Sequence, residues 1–152
     1  DCGIEWEKHI RSNHESRSTN YEVGNMINEL TKIKSFTDLR VWKNGHILVL
    51  DIYKSTKEFP REEMFGLTMQ LRRAMVSFTS NIAEGFSRKS FKEKVQFYSM
   101  ALGSLTEVQN QILIARDIEY ITKEHFQYLA EQTITLNKMT NGLIKSSKIR
   151  IS

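Results

Sequence analysis

The chain has one cysteine, Cys2, and one proline, Pro60, in 152 residues. A single thiol forms no internal disulfide, which excludes the disulfide-scaffolded secreted class and any thiolate zinc site. Glycine is also scarce, and Gly/Pro-rich turns at strand spacing are missing, which argues against an all-β fold. The longest uninterrupted apolar runs, Ile47–Leu50 and Ile112–Ala115, are four residues each, against the roughly 20 that a spanning helix needs. Neither a membrane span nor a signal-peptide core is expected, and the cytoplasm is the expected compartment.

What the chain does carry is charge, unevenly placed. It is mildly basic, at net +4 and a pI near 9.2, yet residues 1–34 are net −1. Between Arg72 and Lys94 stand six cations (Arg72, Arg73, Arg88, Lys89, Lys92, Lys94) and only two acids, Glu84 and Glu93. A local concentration of this kind attracts a polyanion, whereas a pI alone does not locate one.

Helical periodicity dominates after residue 35. Leu39, Trp42, Val49, Leu50 and Tyr53 recur at multiples of three and four, predicting a helix over 37–57 that ends before Phe59-Pro60. Arg61, Glu62 and Glu63 open a second stretch, striped by Leu67, Leu71, Ala74, Met75, Phe78 and Ile82 and stopped by Gly85. Ser90 and Glu93 form a capping box for a third helix over about 91–116. Thr122 caps a fourth, about 123–147, striped by Phe126, Leu129, Thr133, Leu136, Thr140 and Leu143.

Four long helices with short connections predict an all-α, antiparallel up-down-up-down four-helix bundle over residues 35–152. Residues 1–34 read as an N-terminal extension, partly disordered or with one short helix at 21–34 carrying Met26, Ile27, Leu30 and Ile33.

The motifs of catalysis and metal binding are missing. Bundle di-iron sites need Glu-x-x-His, but His46, His125, His9 and His14 follow Lys43, Thr122, Trp6 and Arg11 at that spacing. There is no HExxH, CxxC, glycine-flanked serine elbow or phosphate loop. The expectation is therefore a non-enzymatic protein with no metal and no cofactor. On the second helix Gln70, Arg73, Ser77, Asn81 and Glu84 share a polar face. Ser104, Glu107 and Gln111 offer a counterpart on the third, beside the small Gly103. Gln70, Ser77, Asn81, Glu84, Ser104 and Glu107 are expected to act structurally, in a network between helices or subunits.

Arg88, Lys89, Lys92 and Lys94 flank a helix start, where phosphate contacts are physically easy, and Arg72 and Arg73 join them if the fold brings them near. Surplus apolar residues off the stripes (Ile47, Leu48, Ile52, Met64, Met69, Val76, Phe97, Ile114) point to a homo-oligomer.

Several segments resemble the bacterial four-helix bundle proteins called 23S rRNA intervening-sequence proteins. They are Phe36-Thr37-Asp38-Leu39-Arg40-Val41-Trp42-Lys43, Ile52-Tyr53, Phe59-Pro60-Arg61-Glu62-Glu63-Met64-Phe65-Gly66-Leu67, Gln70-Leu71-Arg72-Arg73-Ala74, Asn81-Ile82-Ala83-Glu84-Gly85, the Arg88-x-Ser90-x-x-Glu93 turn and Gly103-Ser104-Leu105-x-Glu107. The resemblance covers residues 36–146. It implies a ring-like homopentamer, with the accessory proteins of diversity-generating retroelements, which bind nucleic acid and a reverse transcriptase, as structural relatives. Two positions depart from the family pattern, Thr79 where proline is common and Glu119 where glycine is common.

The function expected is an RNA- or DNA-binding accessory role, with Arg72, Arg73, Arg88, Lys89, Lys92 and Lys94 on phosphates. The alternative is an interaction scaffold that presents an oligomeric ring to a protein partner.

Overall fold

The computed structural model describes residues 33–149, and the expectations for residues 1–32 lie outside the described residues. Four helices follow in chain order: α1 (Arg40–Thr56), α2 (Leu67–Ser87), α3 (Phe91–Asp117) and α4 (Lys123–Ile149). Short 3-10 turns at Phe36–Asp38 and Arg61–Glu63 precede the first two, and there is no strand among the described residues.

Cross-helix contacts fix an antiparallel order around the bundle. Gly45 of α1 lies against Phe78 of α2, and Ser77 of α2 meets Ser104 of α3. Gln109 of α3 reaches Thr133 of α4, and His125 of α4 returns to Ser55 of α1. The α2–α3 pair is the most intimate of the four and α1–α4 the least. This is the expected up-down-up-down bundle, with each helix beside its sequence neighbours and the last beside the first.

The helix boundaries have local causes. Ser35 accepts from the Thr37 N–H at 3.3 Å, and Asp38 accepts from the Ser35 N–H at 2.9 Å. The box makes residues 36–38 a 3-10 turn, so α1 begins at Arg40 rather than at 37. The acids Glu62 and Glu63 likewise sit in a separate turn ahead of α2. There the Glu63 carboxylate accepts from the Leu67 N–H at 2.9 Å and from the Tyr120 hydroxyl at 3.2 Å. One side chain thus satisfies an orphan donor at the start of α2 and ties down the α3–α4 connection. Ser90 caps α3 as expected, accepting from the Glu93 N–H at 3.2 Å and donating to the Glu93 carboxylate at 2.7 Å. That hydrogen bond holds the Glu93 pKa below its ordinary value. Thr122 accepts from the His125 N–H at 3.0 Å at the start of α4.

The stripes of α2 and α4 lie in the core essentially as read from the sequence. Leu71, Ala74, Met75, Phe78 and Ile82 are buried on α2, and Phe126, Leu129, Thr133, Leu136 and Thr140 on α4. The two buried threonines donate to their own helix, at 2.7 Å to Ala130 O and Leu136 O, so neither hydroxyl is stranded. On α3, Tyr98, Leu105 and Ile112 are buried, and loss of solvent pushes the Tyr98 phenol pKa up to about 12.

The stripe expected on α1 needs correcting. Val41, Leu48 and Ile52 are its buried face, whereas Leu50 and Tyr53 are 57% and 40% exposed. This helix is apolar on two sides, and the side containing Gly45 wins because the glycine admits the Phe78 ring. A Cβ at Gly45 would stand 2.8 Å from Phe78 Cε1, and Phe78 has no exposed surface. Fully burying a ring or branched aliphatic of this size is worth about 1.5–3 kcal/mol.

Glu119 has φ 63°, the one non-glycine residue with positive φ among the described residues. It occupies the position where the family pattern favours glycine. A left-handed conformation costs an ordinary L-residue about 1–2 kcal/mol, so Glu119→Gly is expected to stabilise the protein by about 1 kcal/mol. Chemical denaturation reads this directly as a higher midpoint at unchanged slope.

Candidate nucleic-acid interface

The antiparallel order brings the start of α1, the end of α2, the start of α3 and the end of α4 to one end of the bundle. Gly85 packs on Phe97 and Tyr98, the Tyr98 hydroxyl is hydrogen-bonded to Ser147, and Asn44 donates to Met139 Sδ at 3.4 Å. The six cations that are close in sequence do not share one place there. Arg72 and Arg73 precede Arg88 by four turns of α2, about 24 Å along the axis at 1.5 Å per residue.

Arg72 is built into the α1–α2 contact. Its Nε donates to Thr56 Oγ1 at 2.8 Å, and its guanidinium lies 4.7 Å from the centre of the Tyr53 ring. Arg73 is exposed on the face of α2 that adjoins α3.

Arg88 and Lys94 are also engaged. Arg88 pairs with Glu84 at 2.5 Å and lies 4.5 Å from the Phe97 ring centre, with a buried Nε that has no hydrogen-bond partner among the described residues. Lys94 donates to Phe86 O at 2.7 Å and Gly85 O at 3.3 Å, so its ammonium caps the carbonyls at the end of α2. Lys89 and Lys92 are exposed.

Four cations absent from the sequence-based set join this end: Arg40 and Lys43 on α1, and Lys145 and Lys148 on α4, all exposed. Among the described residues, the three acids at the same end each have a partner close by. Asp38 accepts from the Ser35 N–H, Glu84 pairs with Arg88, and Glu93 is bonded to Ser90. The opposite end carries Glu58, Glu62, Glu63, Asp117, Glu119 and Glu124 against Lys54, Lys57, Arg61, Arg116 and Lys123, so it is close to neutral where the other end is basic. Counting charge along the chain misses Lys145 and Lys148. Reading the predicted antiparallel topology across its four helices would have found them.

Of the polar residues expected to act structurally, Ser77, Asn81 and Ser104 form one cluster. Asn81 Nδ2 donates to Ser77 O at 2.9 Å and Ser77 Oγ at 3.2 Å, and Ser77 Oγ is 2.9 Å from Ser104 Oγ. Small side chains at this crossing let α2 and α3 approach closely. Gln70 and Glu107 are exposed outside the cluster, while Gln111 is buried and its Oε1 has no partner among the described residues. Gly103 is exposed and would meet nothing within 4 Å if it carried a Cβ.

A second polar group joins α1 to α4. Ser55 Oγ donates to Asp51 O at 2.8 Å and lies 2.6 Å from His125 Nε2. Tyr128 donates to the Asp51 carboxylate at 2.7 Å, which holds its phenol pKa above the ordinary value. A serine whose proton goes to a backbone carbonyl is not poised as a nucleophile. Among the described residues, no group of three or more His, Cys, Asp or Glu is placed to hold a metal ion, and no helix is long and apolar enough to cross a membrane.

Fold and surface together define a four-helix bundle with one basic end. Residues 37–142 match the family model of the 23S rRNA-intervening sequence protein, and the chain belongs to that family. A crystal structure of a protein with unknown function from the S23 ribosomal protein family of Bacteroides thetaiotaomicron superposes with a TM-score of 0.64 at 21% identity, covering 69% of this chain and 95% of that one. At that identity the likeness concerns the fold. No curated protein matches the chain.

Proposed function

We propose that the protein is a non-enzymatic, oligomeric accessory protein that holds RNA or DNA by its phosphates on the basic end of the bundle. The observation that carries this reading is the convergence there of Lys89, Lys92, Lys145 and Lys148 from separate segments, beside acids already occupied within the chain. Lysines on a rigid frame release counterions when they meet a phosphate backbone, so binding weakens steeply with salt. Fluorescence anisotropy of structured RNA, duplex DNA and single-stranded DNA across a salt series tests it. A steep log–log slope is the expected result, and no binding at low salt would overturn it.

Self-association accounts for the apolar residues left outside the core, Met69 and Val76 on α2 and Met100 and Ile114 on α3. The family resemblance suggests five subunits. Gly103 offers a check, because α3 is exposed there. Gly103→Ala is expected to stabilise the isolated subunit by about 1 kcal/mol through helix propensity. If a neighbouring backbone packs on that glycine, the same change lowers the assembly mass in analytical ultracentrifugation.

The scaffold reading has an observation of its own. Phe65, in the α1–α2 connection, is 86% exposed beside the exposed Met64, the kind of anchor that fills a pocket on a partner protein.

A further inference from the structure

Running from the basic end, where Lys43 lies, the outward face of α1 carries a second, different pattern. Lys43, His46, Leu50, Tyr53 and Lys57 follow one another at spacings of three and four residues, all exposed, with Lys54 beside them. They lie on one side of the helix over about 21 Å. No carboxylate falls on this stripe. Asp51, the only acid in α1, is turned toward α4 and accepts from Tyr128.

Both rings of the stripe are held in place while remaining exposed. His46 stacks on Trp42 with centroids 5.0 Å apart and planes at 12°, and Trp42 is braced edge-on by Phe36 at 5.3 Å. Tyr53 lies under the Arg72 guanidinium at 4.7 Å. A ring fixed on one side by a neighbour loses little conformational freedom when a further planar group settles against it. Leu50, 57% exposed between the two rings, adds apolar surface at the same level.

We infer that this face of α1 is a track for single-stranded nucleic acid, with unpaired bases against His46, Leu50 and Tyr53 and phosphates on Lys43, Lys54 and Lys57. The inference rests on the nucleic-acid reading above and deepens it. Alternating cations and base-stacking surfaces are what a single strand uses, whereas a duplex hides its base faces and needs cations alone. The basic end shows the contrast. Two of the rings there, Phe86 and Phe97, lie under Lys94 and Arg88, with centroid distances of 5.6 and 4.5 Å, and both are half-buried where His46 and Tyr53 are exposed.

The test uses the full chain and three labelled probes: an oligo-deoxyadenylate, an abasic sugar–phosphate strand of equal length, and a duplex. The expected result is about tenfold tighter binding of oligo-deoxyadenylate than of the abasic strand. His46→Ala and Leu50→Ser each remove about fivefold or more of that preference and leave abasic binding unchanged. All substituted positions are exposed, and circular dichroism verifies that the variants keep the fold. Equal affinity for the abasic strand, a preference for duplex, or wild-type behaviour of both variants would overturn the track and leave phosphate binding at the basic end standing. A change in assembly mass in Leu50→Ser, with no change in base preference, would make the face a subunit contact and overturn the inference as well. Failure of all three probes to bind at low salt would instead remove the nucleic-acid reading itself.

Discussion

Neutralising Lys89, Lys92, Lys145 and Lys148 to glutamine together is expected to weaken duplex or structured RNA binding about 100-fold or more at low salt. It should also flatten the log–log salt slope by about three to four, since each phosphate that a lysine no longer neutralises on a duplex takes away roughly 0.9. The effect should be similar across sequences, because phosphate oxygens carry no base information. All four ammonium groups are exposed, so thermal stability and assembly mass should stay as in the parent. Arg88 and Lys94 are the informative contrast. One is paired with Glu84 and stacked on Phe97, the other caps the carbonyls of Gly85 and Phe86. Lys94→Ala is expected to lower stability by about 1–3 kcal/mol while moving the salt slope by less than about one. Should the four-lysine variant keep both affinity and slope, the basic end is an ordinary solvated surface.

The largest stability effect is expected at Phe78. The ring is fully buried at the centre of α2, and its edge fills the space left by Gly45 on α1. Phe78→Ala should cost about 3–5 kcal/mol, the forfeited transfer energy plus the cavity. Gly45→Val alone should also destabilise, by about 1–3 kcal/mol, because its methyls enter space that the ring occupies. Combined, the two changes are expected to cost at least about 1 kcal/mol less than their sum, since valine fills part of the hole. Urea denaturation of the four proteins completes the cycle. Strict additivity would mean that the glycine and the ring do not share one space.

These two sites also mark what the sequence can and cannot say. The stripes of α2 and α4 were legible because each has one apolar side, and the box at Ser90 and the cap at Thr122 announced their helix starts. Helix α1 was legible as a helix but not in its register. Leu50 is as apolar as Leu48, Tyr53 adds a large ring on the same side, and only the partner helix, through Phe78 and Gly45, decides which side turns inward.

The basic end was half legible. Arg88, Lys89, Lys92 and Lys94 are neighbours in sequence and in space, but Arg72 lies four helical turns away holding Thr56. Lys145 and Lys148 arrive from the far end of the chain. A run of charge in sequence becomes a patch only where the chain turns. Within a helix it is spread along the axis at 1.5 Å per residue and around it at 3.6 residues per turn. The departure at Glu119 was visible from the family pattern, and its physical meaning, a left-handed backbone without glycine, came with the φ angle.

The seam between α1 and α4 is looser than the other three. It is the most sparsely packed of the helix pairs, and it is bridged by side-chain hydrogen bonds: Asn44 to Met139, Tyr128 to Asp51, and His125 to Ser55. Polar bridges of this sort contribute about 1 kcal/mol each, well below the interlocked α2–α3 crossing. The bundle should therefore breathe along this line first, α1 and α4 parting while α2 and α3 stay clasped as a hairpin. Native-state amide exchange would record it as a sub-global opening in α1 and α4, at lower free energy than the slowest amides around Phe78, Ile82 and Leu105.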